Sequence, residues 1–388
     1  MRRLPPVLFV LLALAAASLA AQVPVGREIP VNQTLGRQIR PDVGVAADGS
    51  FVVVWESSDR GRIRVRRYRA NGKPQGGELR VSRLGEGRQA APAVAVRPDG
   101  SFVVVWNRVA AGGKRVEVYA SRYTAGGQAI GEPRLVGSAA QASAGEPAAV
   151  TLLPDGGFFV AWTLEDPEIA SRDLYGRRFT RNGVPAGGRV MLNADPDGDQ
   201  RLPECAVSRG EEIVCTWTSE LEEGFGEALF RRFDLDGRPL GDELQVNEPD
   251  TTGHPQRHPS LAVHADGTVL VTWLDGADVG RVHARLLDAA DRFLGPAFLV
   301  GETPTLFGDP RAAATDAGFA VVWAVGAGVL LREVSATGAV AGAERQVNQR
   351  FDGTLVDAAV AFGPAGGAVV WTSYPPLFDT DILARRLR

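Results

Sequence analysis

Cysteine and histidine are scarce in this chain of 388 residues, with two cysteines and four histidines. No glycine-rich phosphate-binding loop, Gly-x-Ser-x-Gly elbow or His-Glu-x-x-His helix is present. These absences exclude the commonest cofactor-binding and hydrolytic signatures, so we expect no cofactor. They also mean that the sequence by itself names neither a ligand nor a reaction.

Long apolar runs are missing beyond the N-terminus. Arg2 and Arg3 precede an apolar run from Val7 to Ala17, and Ser18-Leu19-Ala20 supplies the small residues that a signal peptidase reads. This pattern predicts a signal peptide over residues 1–20 and a secreted or periplasmic protein. The run is too short to span a membrane, so no transmembrane segment is expected.

A strong charge of either sign is also missing. The formal net charge is −4, and loss of Arg2 and Arg3 with the signal peptide would make it −6. A mildly acidic protein is a poor match for a phosphate backbone, which argues against a nucleic-acid partner.

What the chain does contain is a repeat. The stretch from Asp48 to Trp55, Asp-Gly-Ser-Phe-Val-Val-Val-Trp, returns in seven copies, and every tryptophan ends one of them. The seven tryptophans are Trp55, Trp106, Trp162, Trp217, Trp273, Trp323 and Trp371. Each copy has the composition of a strand, and a period of about fifty residues is typical of a repeat architecture.

Each repeat predicts four antiparallel strands. A short segment such as Pro41 to Val45 leads through an Asp-Gly turn into the tryptophan strand, which is a hairpin signal. A third strand follows a variable loop, and a second tight turn leads to a fourth strand. We therefore predict an all-β, seven-bladed β-propeller in one domain, residues 21–388. Its blades span approximately residues 37–82, 83–137, 138–193, 194–247, 248–300, 301–348 and 349–388.

The two ends of the chain complement each other. The last repeat stops after three strands, whereas Gly26, Glu28, Val31 and Asn32 have the spacing of a fourth strand with no strands before it. The segment 21–36 is therefore expected to be the outer strand of blade seven. Closure of this kind leaves no open sheet edge, so a monomer is expected.

These motifs, best seen from Arg231 to Asn247, resemble the repeats of secreted bacterial β-propeller proteins of unassigned function. The resemblance covers essentially the whole mature chain and implies the fold and an extracytoplasmic setting. It supplies no catalytic residues. Sialidase Asp boxes do not fit, because Asp48 and Trp55 are seven residues apart where those motifs need five.

Three repeated features predict structural contacts. The tryptophans are interpreted as packing between blades rather than as sugar-stacking platforms. Third-strand arginines such as Arg66 lie opposite fourth-strand glutamates such as Glu78, which suggests cross-strand ion pairs, although Arg177 and Arg285 lack such a partner. Cys205 and Cys215 align with Val43 and Val53 across the first hairpin, so a disulfide is expected.

Two metal sites are weak possibilities. His254 and His258 could meet Asp275 or Asp278 on one face and bind zinc, although a third convergent ligand is missing. Asp195, Asp197 and Asp199 resemble a calcium loop but lack the glycine and glutamate of the EF-hand pattern. Solvated loop histidines and a polar turn are the plainer interpretations.

The loops after the tryptophans vary most between repeats, which is how repeat proteins often place binding specificity. The candidate partner-binding residues on this variable face are Glu56, Asp59, Asp166, Glu168, Glu222, Asp278, Tyr374, Phe378 and Asp379. The leading hypothesis is a non-enzymatic binding or scaffold propeller for a protein or cell-envelope glycan partner. The alternatives are a carbohydrate-binding lectin and a hydrolase or lyase acting at the channel mouth.

Overall fold

The computed structural model describes residues 22–58, 61–81, 87–110, 112–113, 115–140, 145–166, 171–209, 211–222, 225–248, 254–276, 279–303, 308–351, 353–375 and 379–388. At residues 139, 140, 166, 221, 222 and 225 it describes the backbone only. All regular structure in these ranges is β-strand. No helix in the described part of the chain is long and apolar enough to cross a membrane.

Most strands are arranged in four-stranded antiparallel sheets, numbered here in chain order. Two sheets come first along the chain: β2 (Gln38–Val45), β3 (Phe51–Ser57), β4 (Arg62–Tyr68) and β5 (Leu79–Arg80); and β6 (Gln89–Val96), β7 (Phe102–Val109), β8 (Arg115–Tyr123) and β9 (Arg134–Ala140). Two more follow later: β18 (Gln256–Val263), β19 (Val269–Asp275), β20 (Gly280–Leu287) and β21 (Phe298–Thr303); and β22 (Arg311–Thr315), β23 (Gly318–Val325), β24 (Gly328–Ser335) and β25 (Val340–Gln346).

The middle of the chain forms an eight-stranded sheet made of two such units. They are β10 (Ala149–Leu152), β11 (Phe158–Asp166), β12 (Ser171–Phe179) and β13 (Val190–Met191); and β14 (Asp199–Ser208), β15 (Glu212–Glu222), β16 (Phe225–Asp234) and β17 (Leu244–Gln245). A single parallel pairing of Arg172 with Asp199 joins the two units.

The two ends of the chain meet in the remaining sheet. It contains β26 (Thr354–Gly363), β27 (Gly366–Tyr374) and β28 (Asp381–Leu387), and its fourth member is the N-terminal strand β1 (Pro24–Pro30). Strand β1 pairs antiparallel with β28, with Pro24 opposite Leu387 and Pro30 opposite Leu383. This is the complementation that the spacing of the N-terminal residues predicts.

The second strand of each unit is its most buried element. In β3 every residue is buried, and all seven tryptophans are 2% exposed or less. The tryptophans therefore contribute to the core and present no stacking surface to a sugar. Some also fix the neighbouring first strand, since Trp55 Nε1 donates to Gln38 Oε1 at 2.9 Å and Trp217 Nε1 donates to Gln200 Oε1 at 3.0 Å.

The first strands form a closed ring of contacts: β2 contacts β6, and the series continues through β10, β14, β18, β22 and β26 back to β2. The sheets radiate from this ring, because each first strand pairs with the second strand of its own unit. Residues of the first strands therefore surround the centre of the protein.

The repeated third-strand arginines join neighbouring units. The predicted ion pairs between these arginines and the fourth-strand glutamates are wrong, because both residue types bind other partners. Arg66 donates to the carbonyl of Val31 at 2.7 Å, and Arg285 makes the equivalent bond to Val246 at 3.0 Å. Glu78 accepts from Thr34 Oγ1 at 2.6 Å in the preceding segment. Arg285 thus needs no glutamate opposite it, because its partner is a main-chain carbonyl of the preceding unit.

The predicted disulfide is present. Cys205 on β14 lies directly opposite Cys215 on β15, with a Cα–Cα distance of 4.2 Å and an S–S bond. This is the register in which Val43 pairs with Val53 in the first sheet. The repeat alignment therefore predicted the pairing correctly.

Candidate functional site

The first strands carry a β-bulge at a repeated position next to the centre of the ring. The register slips in five of them, for example between Ile39 and Asp42. The bulge residue has a left-handed backbone although it is not glycine: Arg40, Ala91, Leu202, His258 and Asp357 have φ of 51°, 49°, 57°, 52° and 53°. Bulges of this kind redirect side chains and are common beside functional sites.

The residues on either side of the bulge proline differ from unit to unit. The preceding positions are Arg40, Ala91, Glu146, Leu202, His258, Asp309 and Asp357, and the positions two residues later are Asp42, Ala93, Ala148, Glu204, Ser260, Arg311 and Ala359. Eight of these fourteen side chains are charged or histidine, although they lie in or just before first strands whose remaining residues are largely apolar. The closed ring of strands therefore surrounds a set of charged groups, which we call the central cluster.

Arg311 and Glu204 form one contact within the central cluster. Arg311 Nη1 lies 2.8 Å from Glu204 Oε2, and Ser260 Oγ donates to Glu204 Oε1 at 3.0 Å. The arginine and the glutamate belong to units separated by a whole sheet, so this ion pair spans part of the ring. Their side chains are 38% and 27% exposed, which shows that solvent reaches the cluster.

His258 and Asp309 form a second contact, and Asp357 is held by other partners. His258 Nδ1 lies 3.2 Å from Asp309 Oδ2. Asp357 Oδ2 accepts from the backbone N–H of Arg40 at 3.1 Å and from Thr372 Oγ1 at 3.0 Å. Both bonds to Asp357 go to the same oxygen, so a proton on this carboxyl would be carried by Oδ1.

The pKa values of Asp309 and Asp357 are shifted in opposite directions. Burial raises the pKa of Asp357, and the negative charge of Asp309 adds to the increase, against hydrogen bonds from Arg40 and Thr372. Burial also tends to raise the pKa of Asp309, but the charge and hydrogen bond of His258, together with Arg311, hold it below its usual value. Two carboxyls whose pKa values are shifted in opposite directions are the arrangement used in general acid–base catalysis.

The other carboxyls of the cluster are also perturbed. Burial raises the pKa of Asp42 to about 6, although its carboxylate accepts from the N–H groups of Val43 and Val94 at 2.8 and 2.7 Å. Burial likewise raises the pKa of Glu204 despite the opposing charge of Arg311. Asp42 reaches from one first strand to the next, so its role includes joining two sheets.

The predicted partner-binding residues are distributed differently from expectation. Glu56 is buried, 5% exposed, and accepts hydrogen bonds from Arg40 and Arg88, because β3 continues past Trp55. Asp166 and Glu222 stand in the ladders of β11 and β15 rather than in loops, because these hairpins extend further than the sequence suggests. Tyr374 ends β27, and Asp379 is exposed. Asp59, Glu168, Asp278 and Phe378 lie outside the described residues.

Among the described residues, the structure does not bring the candidate metal ligands together; Asp278 lies outside them. His258 contacts Asp309, whereas Asp275 accepts from Gln256 at 2.8 Å and lies 3.7 Å from His283 Nε2. Asp195 Oδ1 accepts from the N–H of Asp197, as in a polar turn, and Asp199 pairs with Arg172 at 3.2 Å. Within the described ranges no group of three or more His, Cys, Asp or Glu side chains is placed to hold a metal ion.

The central cluster was missed from the sequence, although a signal for it exists. Six of the seven units contain a proline in the first strand, and the residues flanking it include Arg40, Glu204 and Asp309. A charge at a position that is alanine in other repeats, inside an otherwise apolar strand, is unusual unless the position faces a channel. Aligning the repeats on this proline would have revealed it.

Comparison with known proteins gives structural likeness without sequence likeness. No protein-family profile matches the chain, and no curated protein matches it by sequence. A polysaccharide lyase is similar over 94% of this chain and 99% of its own, with a TM-score of 0.58 and 9% identity. An α-L-arabinofuranosidase from Fusarium graminearum is similar over 94% of this chain and 98% of its own, with a TM-score of 0.56 and 10% identity. A protein of unknown function from Dyadobacter fermentans is similar over 95% of this chain and 100% of its own, with a TM-score of 0.58 and 11% identity.

These likenesses show a β-propeller-like, all-β fold. They also correct the leading functional hypothesis from the sequence. A non-enzymatic scaffold for a protein partner is wrong as the main interpretation, because the solved structures of this shape include an arabinofuranosidase, an arabinanase, a polysaccharide lyase and a sialidase. The carbohydrate-directed alternatives are the better supported ones.

Proposed function

We propose that the protein is a carbohydrate-active enzyme that hydrolyses a polysaccharide at the central cluster. The observation that carries this proposal is the central cluster, where Asp309 and Asp357 stand at equivalent positions of consecutive units and His258 Nδ1 lies 3.2 Å from Asp309 Oδ2. The pKa values of the two carboxyls are shifted in opposite directions, which supports different roles for them. The likeness of the fold to carbohydrate-active enzymes supports the same reading.

In this proposal Asp357 is the general acid. Burial raises its pKa, which favours the protonated form, and it would give that proton to the glycosidic oxygen as the bond from this oxygen to the sugar carbon breaks. Asp309 is the general base. His258 lies 3.2 Å from it and helps to lower its pKa, which favours the ionised form. Asp309 would take a proton from the water that attacks the same carbon. Arg311, paired with Glu204, would donate hydrogen bonds to sugar hydroxyls.

The test is a screen of the mature chain against a panel of polysaccharides, including arabinan, with release of reducing ends as the readout. Asp309→Asn and Asp357→Asn should each lower kcat by about 10²-fold or more, as loss of general acid–base catalysis does. Asp316→Asn, the same change at an exposed site on the opposite face, should leave turnover unchanged.

Two results would overturn the proposal. One is a parent protein that cleaves none of the polysaccharides. If it binds one of them without cleaving it, the protein is a lectin and not a hydrolase. The other is a parent that cleaves a polysaccharide while both aspartate variants, folded by their melting curves, retain its rate.

We further propose that the sheets are the seven blades of one propeller, that residues 1–20 are removed on export, and that the mature protein is monomeric. Seven repeats in the sequence, the ring of seven first strands and the disulfide support these proposals. N-terminal sequencing of the protein from culture medium or periplasm, together with its sedimentation velocity, tests cleavage and monomer formation.

A further inference from the structure

We infer that the substrate carries anionic groups and that a basic pocket beside the central cluster binds one of them. This inference rests on the proposed carbohydrate activity and adds the chemical class of the sugar. The pocket lies on the variable face between the first two sheets and has a volume of about 610 Å³. We call it the arginine pocket.

The charges of the arginine pocket are predominantly positive. Arg37, Arg62 and Arg88 line it, and Glu56 is the only acidic residue among the described residues of its wall. Arg37 and Arg88 are exposed, with 55% of the Arg88 side chain open to solvent. A volume of this size is within the usual range for small-molecule sites and could hold a sugar unit.

Glu56 gives the pocket a fixed floor. Its carboxylate is buried, accepts from Arg88 Nη2 at 2.8 Å, and accepts from Arg40 Nη1 at 3.0 Å. One carboxylate therefore positions two guanidinium groups while neutralising only one of them. An arginine held in this way keeps donors for an anionic ligand, and guanidinium groups match carboxylate and sulfate geometry well.

The contacts of Arg40 connect the arginine pocket to the proposed general acid. Its guanidinium binds Glu56, and its backbone N–H donates to Asp357 Oδ2 at 3.1 Å. An anionic group held in the pocket would therefore lie on the same side of the ring as the acid that protonates the glycosidic oxygen. The pocket would then select which chain is placed across the cluster.

Two glycines of the pocket wall have a backbone with positive φ. Gly87 has φ of 112°, and a Cβ there would lie 2.3 Å from the carbonyl oxygen of Val109. Gly61 has φ of 55°, and a Cβ there would lie 3.4 Å from Arg88. A side chain at position 87 would clash with the main chain of β7, and one at position 61 would contact Arg88 with a strained backbone, so glycine suits both positions of the wall.

The shared chemistry is an anionic group on a sugar, from either a uronate or a sulfate ester. The probes are therefore oligogalacturonate, its carboxyl-reduced neutral form, and a sulfated galactan oligosaccharide, with affinities measured by calorimetry. We expect the parent to bind at least one anionic probe and to bind the reduced form at least about tenfold more weakly, the loss that one charge-assisted contact predicts.

The single variants Arg37→Gln and Arg88→Gln should each bind the anionic probe about tenfold more weakly than the parent does. Their affinity for the neutral form should be unchanged. Arg238→Gln, at a side chain 74% exposed in a turn after β16, is the matched control and should change neither affinity. Asp309→Asn and Asp357→Asn should retain binding of the anionic probe while losing turnover.

The outcomes separate the two proposals. If the parent binds or cleaves neutral polysaccharides but no anionic probe, or if Arg37→Gln and Arg88→Gln bind the anionic probe as tightly as the parent, the arginine pocket is not an anion site. If anionic binding depends on these arginines but no glycan is cleaved, the pocket is supported and the hydrolytic proposal fails. If no glycan of any kind is bound or cleaved, both proposals fail.

Discussion

The second strands and the first strands of this protein carry different kinds of information. The second strands repeat Phe, Val and Trp with little change and are almost completely buried. Most first strands share a proline, and five share a bulge, but they differ in the flanking residues, which range from Ala91 to Asp309 and Arg311. Residues that repeat in every unit are therefore those that each sheet needs for packing. Positions that differ between units are not needed for packing and can serve a site.

The fold was predictable because its signals are repeated. One copy of Asp-Gly-Ser-Phe-Val-Val-Val-Trp is a weak hairpin signal, but seven related copies at a period of about fifty residues predict the same unit throughout the chain. The pairing of β1 with β28 and of Cys205 with Cys215 followed from aligning units on the tryptophan. Each of these inferences compares a residue with its equivalents in other units.

The site was not predictable in the same way, because it depends on contacts between units that are far apart in sequence. Glu204 meets Arg311 across 107 residues, and although both stand at the same repeat position, the repeat does not indicate which of its members contact each other across the ring. Sequence variation pointed instead to the loops after the tryptophans, which are also variable. Glu56 shows the difficulty, since an acid that follows the tryptophan strand turned out to be a buried partner of two arginines.

The largest expected difference between the two kinds of strand is in stability. Trp217→Ala removes a fully buried indole and leaves Gln200, 1% exposed, without its 3.0 Å donor. We expect a loss of about 3–5 kcal/mol in the free energy of unfolding. Leu202→Ala, on the first strand of the same sheet, removes a partly exposed side chain and should cost less than about 2 kcal/mol. Urea unfolding of both variants measures the difference, and equal losses would contradict the comparison.

A smaller effect should appear in the pH dependence of stability. Burial raises the pKa of Asp42 from 3.8 to about 6, so the folded state holds this proton more tightly than the unfolded state does. The stabilising contribution of the protonated form is complete below the unfolded pKa and is lost as pH rises through about 6. Solvent around the cluster screens the effect, which we expect to be on the order of 1–2 kcal/mol.

Asp42→Ser isolates this contribution. Ser260 stands at the equivalent position of another unit, and its Oγ accepts from the N–H of Ala312 at 3.0 Å, as Asp42 Oδ2 does from Val94. A serine at position 42 can therefore retain the link between strands without a titrating group. The difference in unfolding free energy between parent and variant should favour the parent more at about pH 4 than at about pH 7. A difference that is constant over this range would show that Asp42 does not titrate as described.

The smallest effect concerns the bulge itself. Ala91 has φ of 49°, a backbone conformation that disfavours any side chain by about 1–2 kcal/mol, and glycine would remove that cost. Glycine also loses a buried methyl and gains freedom in the unfolded chain, so Ala91→Gly should change stability by less than about 1 kcal/mol in either direction. Ala120, equally buried in the third strand of the same sheet, has no such strain, and Ala120→Gly should therefore destabilise by about 1–2 kcal/mol. If thermal unfolding shows the same loss for both, the first strands hold no strain at the bulge, and the turn that presents Arg40, His258 and Asp357 to the central cluster is simply their relaxed conformation.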